Sequence, residues 1–123
     1  MPYTIYKLVH FLGLFAVVTV LAATAMHALG GGTRAARPYR RAFGVAHGVG
    51  TFLILLGGFG MLARLGIAQA GLPAWVYAKL ALWLIVGAAM VLPYRGRPHA
   101  LALIVALPLL TVLGAAIALY KPF

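Results

Sequence analysis

The sequence predicts an all-α integral membrane protein: a four-helix transmembrane bundle, with residues 1–123 forming one domain. Three observations carry this. Four apolar stretches, each about 18–27 residues long, can cross ~30 Å of hydrocarbon as helices. The chain is 65% hydrophobic and 8% charged, with no Asp or Glu, whereas soluble domains carry about 25% charged residues of both signs. The cations sit in short clusters between the apolar runs, where membrane proteins place their topology signals. Strands are disfavoured, because backbone groups in lipid must pair within a helix or a closed barrel, and the runs lack the period-2 alternation of a barrel.

The first helix is expected over about 3–29, ended by Gly30-Gly31-Gly32, since glycine favours a left-handed C-terminal cap. It is read as a retained helix rather than a signal peptide, being longer than an h-region and carrying His10. A basic loop follows, Arg34-Ala35-Ala36-Arg37-Pro38-Tyr39-Arg40-Arg41. The second helix is expected over about 43–65, and Gly66 to Pro73 links it to the third, over about 75–92, with Pro73 suited to a helix start. The basic turn Pro93-Tyr94-Arg95-Gly96-Arg97-Pro98 precedes the fourth, over about 100–120. Small residues on helix two, Gly44, Gly48, Gly57, Gly58 and Gly60, permit close helix contacts, or leave room for a flat cofactor.

Lys and Arg counts set the expected orientation. Arg34, Arg37, Arg40, Arg41, Arg95 and Arg97 lie on one side, and Lys7, Arg64, Lys79 and Lys121 on the other. This bias places both termini outside the cytoplasm. The arginines suit phospholipid headgroups, or the propionates of a porphyrin.

Composition excludes several chemistries. The apolar content rules out intrinsic disorder. The chain has no Cys for disulfides or for thiolate metal sites. Without carboxylate side chains there is no paired-carboxylate catalysis, and Walker-type or two-metal phosphoryl transfer loses its usual ligands. The distribution of the ten Lys and Arg does not support nucleic-acid binding.

Ionisable residues inside a membrane segment are costly, so each is a functional candidate. Here they are Lys7, His10, His27, His47, Arg64, Lys79 and His99. His10 lies about two turns into helix one and Lys79 about one turn into helix three, from the same membrane face. The two therefore share a level. Lys79 can snorkel to the headgroups, hold an anion or lose its proton to act as a base. His10 lies on an inward stripe with Tyr3, Tyr6, Gly13, Leu14 and Val17. It can bond a neighbouring carbonyl or hydroxyl, ligate haem iron, or relay protons. His27, His47 and His99 fall at the opposite edge, as a metal-binding group or as ordinary interfacial residues.

Three short patches, in order along the chain, resemble the HemJ-type protoporphyrinogen oxidases. They are Tyr6-Lys7-Leu8-Val9-His10-Phe11-Leu12-Gly13, Ala74-Trp75-Val76-Tyr77-Ala78-Lys79-Leu80 and the ending Tyr120-Lys121-Pro122-Phe123. The resemblance implies a four-helix membrane oxidoreductase that binds haem b in the bacterial inner membrane. It would oxidise protoporphyrinogen IX to protoporphyrin IX and pass electrons to quinone or another acceptor. It implies that His10 ligates the haem iron and that Lys79 binds a propionate or moves protons; His47 and His27 are further cofactor-binding candidates. The chain departs from the family before helix four. There Arg97-Pro98-His99-Ala100 stands in place of an Arg-x-x-Asn-Glu-x-Pro pattern. The loop between helices one and two is shorter and wholly basic, and the start of helix two lacks the family's proline. CopD-like and SirB-like small membrane proteins are similarly built. Two other functions fit the size and charge: a non-catalytic accessory subunit of a larger membrane complex, and a metal-handling or transport helper. The partners implied are the lipid bilayer, a homo-oligomer or other membrane subunits.

Overall fold

A computed structural model describes residues 2–36 and 39–121. They form the expected four-helix bundle: α1 (Tyr3–Leu29), α2 (Arg40–Arg64), α3 (Ala74–Ala88) and α4 (Arg97–Tyr120). Two short 3₁₀ turns, Ala89–Val91 and Pro93–Arg95, join α3 to α4. Neighbours in sequence are neighbours in space, and α4 returns to pack on α1. The four spans are long and apolar enough to cross a membrane. Large apolar side chains such as Leu12, Phe15, Leu84, Leu109 and Val112 are exposed on the bundle surface. A bilayer suits such a surface, since water would leave it unsatisfied.

The helix ends differ from the expectation in instructive ways. α2 starts at Arg40 rather than near Phe43, so Arg40 and Arg41 belong to its first turn and not to the loop. Cations oppose the positive end of the helix dipole, which is why the sequence pattern reads as loop there. Arg37 and Pro38 lie outside the described residues, as do Met1, Pro122 and Phe123. α3 ends at Ala88 and tightens into a 3₁₀ turn instead of running to Leu92. Pro93 has no N–H, and its ring would clash with the carbonyl four residues back. The backbone answers with an i→i−3 bond from Leu92 N to Ala89 O at 3.1 Å. α4 starts three residues early, at Arg97, because Pro98 occupies a first-turn position where its missing N–H costs nothing.

α1 closes as the glycines predict, one residue later than Gly30. Gly31 takes the left-handed conformation at φ +89°, with Gly32 N bonded to His27 O and Gly31 N to Ala28 O. This is a Schellman motif. α2 ends in the same way: Gly66 has φ +77°, Ile67 N bonds Leu62 O at 2.9 Å and Gly66 N bonds Ala63 O at 3.2 Å. Gly66→Ala is expected to lower stability by about 1–2 kcal/mol, because a Cβ is penalised in this conformation. A thermal melt in detergent should show the loss, and Gly66→Asn should recover part of it.

α1 and α2 form the tightest pair, and glycines set their distance. A Cβ on Gly13 would stand 2.6 Å from Gly50 O. One on Gly57 would stand 2.5 Å from His10 N and 2.6 Å from Tyr6 O. Gly57 and Gly60 therefore make the close helix contact expected of them, and make it against α1. Gly44 and Gly48 do not, having nothing within 4 Å. Gly13 and Gly50 complete the close approach in their place.

The buried core sits toward the end of the bundle that carries the basic loop. Val17, Leu21 and Ala25 of α1 pack there with Ala89 and with Ala100, Leu103 and Leu107 of α4. The same end is stitched by polar contacts, with His27 Nδ1 2.7 Å from the Tyr94 hydroxyl and Arg97 donating to Leu29 O at 3.4 Å. Toward the chain termini the packing changes. α1 has no buried residue before Gly13, and α4 has none beyond Leu107. At that end burial is confined to α2 and α3, at Gly57, Leu62 and Val76, and cavities open beside α1 and α4.

Candidate functional site

The end with the cavities contains His10 and Lys79. The short link between α2 and α3 makes these helices antiparallel, so the start of α3 returns to the level of the start of α1. Both side chains are half-buried, and both line the same two adjoining cavities. The shared membrane level expected of them is therefore realised as a shared wall.

The His10 ring is oriented by α2. Its Nδ1 donates to the Ile54 carbonyl at 2.8 Å. A carbonyl only accepts, so Nδ1 carries the proton and, in the neutral ring, Nε2 keeps its lone pair. Gly58 lies beside this ring; a Cβ there would stand 3.6 Å from Nδ1. The carbonyl-bonding role and the ligand role weighed for His10 are thus compatible, because they use different ring nitrogens. A carbonyl behind one nitrogen is the usual way a metal-bound histidine is held in place.

The narrower cavity, about 170 Å³, lies against α2 and α3 and is lined by Phe59, Trp75 and Trp83 among others. The wider one, about 590 Å³, runs between α1 and α4 with Trp83 and Val86 of α3 on its floor. The Trp83 indole is fixed by a bond from Nε1 to Thr51 O at 2.8 Å. Lys79 and Lys121 line both cavities, and Lys7 lines the wider one. Lys121 stands 5.6 Å over the Trp75 ring and Lys7 stands 6.0 Å over Phe11. No hydrogen bond or ion pair engages the Lys79 ammonium among the described residues, and the sequence has no acidic side chain to offer one. The site is therefore an apolar, aromatic chamber with several cations and one oriented imidazole. Its chemistry suits a flat or elongated apolar molecule bearing acidic groups.

The other sequence candidates lie elsewhere. His47 is buried on α2, with Nε2 donating to the Val86 carbonyl of α3 at 3.4 Å. His27 is engaged with Tyr94, its ring edge-on to the phenol at 5.8 Å. His99 is exposed at the start of α4. Among the described residues, no three histidines gather as a group able to hold a metal ion. Neither His27 nor His47 lines a cavity that His10 lines. Arg64 ends α2 on the surface.

Several lining residues were not singled out by the sequence. Thr111 and Gly114 of α4 face the wider chamber. Their i, i+3 spacing on one helix face was the available signal, but nothing in the sequence says which helix that face meets. Lys121 enters the sequence reading as a topology charge and as part of the terminal Tyr120–Phe123 patch, not as a lining residue. No family model, no curated protein and no solved structure matches this chain.

Proposed function

We propose that this protein is a haem-b-binding membrane redox protein of the HemJ type that oxidises protoporphyrinogen IX to protoporphyrin IX. The reading places it in the bacterial inner membrane with both termini on the non-cytoplasmic side. The observation that carries it is the oriented His10 imidazole, whose free Nε2 lone pair belongs to a residue lining a 590 Å³ apolar chamber that also carries Lys79. Pockets for drug-sized and cofactor-sized molecules run to about 300–1,000 Å³. The residues fit a porphyrin: an apolar wall for the macrocycle, an imidazole for an axial bond, and ammonium groups for its carboxylates.

Haem b, when bound, would supply a redox centre able to accept electrons from the porphyrinogen and pass them to an acceptor such as a quinone. The chain's own residues do the rest. His10 presents Nε2, with Ile54 O fixing the ring from behind. Lys79 holds a ring carboxylate or takes up a proton leaving the substrate. The aromatic and aliphatic lining keeps water from the ring, which strengthens each charge contact inside. Trp75 and Trp83 flank the site on α3.

The first test is a reduced-minus-oxidised visible spectrum of detergent-purified protein from haem-replete cells, with a pyridine haemochrome assay. A haem b signal in stoichiometric amount supports the reading. A flat spectrum would overturn it and leave the accessory-subunit reading. A second prediction concerns Lys79. Lys79→Met is expected to weaken protoporphyrin IX binding about ten-fold, the scale of one charge-assisted contact, read by quenching of tryptophan fluorescence. The dimethyl ester of the same porphyrin should bind both proteins equally. Equal losses for acid and ester would mean that Lys79 acts by packing rather than by charge.

A further inference from the structure

We propose that the wider chamber seats one anionic phospholipid, its phosphate on Lys79, Lys121 and Lys7 and an acyl chain in the cleft between α1 and α4. This does not depend on the redox reading. A porphyrin dicarboxylate, where it binds, would take the lipid's place.

The shape comes first. The chamber is lined on α1 from Tyr3 to Val18 and on α4 from Leu107 to Lys121. At 1.5 Å per residue this is a slot about 20 Å long. Its walls along that length are mostly apolar, Leu14, Phe15, Val18, Leu107 and Leu110 among them, which suits a hydrocarbon chain. Its rims face the bilayer: Phe15 is 63% exposed and Leu119 is 79% exposed. A lipid can therefore enter sideways without crossing water.

The charge comes second. Lys79 is half-buried within a span, and the sequence contains no Asp or Glu. No acidic side chain can neutralise it. A cation at this depth is costly unless it is paired, and an anionic headgroup from the bilayer would supply the missing counter-charge. Lys7 and Lys121 line the same chamber toward the chain termini. That places the cations at one end of the slot and the apolar walls along the rest, the layout of a headgroup and its tail.

The α4 wall supplies a clean handle. Gly114 faces the chamber, and a Cβ added there would stand 3.7 Å from Leu82 Cδ1, an ordinary contact. Alanine therefore fits, whereas a phenyl ring at this position fills the slot.

The test uses the full chain, made in a host lacking haem synthesis and reconstituted into vesicles. Dibromostearoyl phosphatidylglycerol or dibromostearoyl phosphatidylcholine is mixed with unlabelled phosphatidylcholine. Quenching of Trp75 and Trp83, the chain's two tryptophans, reports occupancy. Phosphatidylglycerol is expected to quench at a mole fraction lower than phosphatidylcholine by at least about five-fold, the scale of one lysine at an anionic surface. Gly114→Ala should keep this preference, and Gly114→Phe should remove it with the helical circular dichroism unchanged. Lys121→Gln, which leaves the slot open, should reduce the preference. Equal quenching by the two lipids overturns the proposal. So does a phosphatidylglycerol preference that survives in folded Gly114→Phe, or preferential quenching by free bromostearate over the phospholipid. The visible spectrum of haem-replete protein is a separate readout, so failure of the lipid site and failure of the haem reading are told apart.

Discussion

Replacing His10 with alanine is expected to abolish the haem b spectrum of protein from haem-replete cells, with the bundle still assembled. The expectation rests on the proposed haem site. His10 Nε2 is the one imidazole nitrogen with a free lone pair on a chamber wall, since the rings of His27 and His47 line neither cavity. His10 supplies the only imidazole on the described wall of the chamber, and the sequence offers no Cys to replace it. The structural cost is small. The substitution removes one hydrogen bond, to Ile54 O, worth about 1 kcal/mol. The space left opens into an existing cavity rather than creating a sealed one. His10→Gly supplied with free imidazole should regain the spectrum, which a purely structural role would not allow. An unaltered spectrum in His10→Ala would refute the axial assignment.

Gly57→Ala is expected to be the most disruptive single-methyl change in the α1–α2 interface. The added Cβ meets His10 N at 2.5 Å and Tyr6 O at 2.6 Å. Both are backbone atoms, so no side chain can rotate away and the two helices must part. Overpacking of this kind costs about 1–3 kcal/mol. Separation would also lengthen the bond from His10 to Ile54 O and release the ring. The melting temperature in detergent should fall, and the haem signal with it if haem is bound at His10. Gly48→Ala is the matched control. Nothing lies within 4 Å of Gly48, and exchanging glycine for alanine inside a helix favours the helix by about 1 kcal/mol. Equal melting temperatures for the two variants would refute glycine-set spacing.

The residues differ in how far they could be read from the sequence. The pairing of His10 with Lys79 was legible because depth along a helix is counted in residues, and short links reverse the direction of each helix in turn. Which glycines touch α1 was only partly legible. Of the five helix-two glycines expected to permit close helix contacts, Gly57 and Gly60 do so against α1 and Gly58 lies beside the His10 ring, whereas Gly44 and Gly48 face outward and Gly13 and Gly50 complete the contact. In a membrane span both faces of a helix are apolar, so hydropathy does not mark the face that turns inward. The helix ends were off by up to four residues wherever a charge or a proline governs the first or last turn, as at Arg40, Pro93 and Pro98.

By itself the sequence determined that this chain is a four-helix membrane bundle, where its helices turn, and that no acidic side chain neutralises Lys79. These follow from local quantities: run length, composition, and the backbone demands of glycine and proline. Only the tertiary structure decided that the bundle's core sits at its basic-loop end and that cavities open at the other. The same is true of the bond from His10 Nδ1 to Ile54 O and of the chamber wall that Thr111 and Gly114 of α4 provide. Each depends on how one helix is rotated and spaced against another, and that is set by side-chain contacts between residues far apart in sequence.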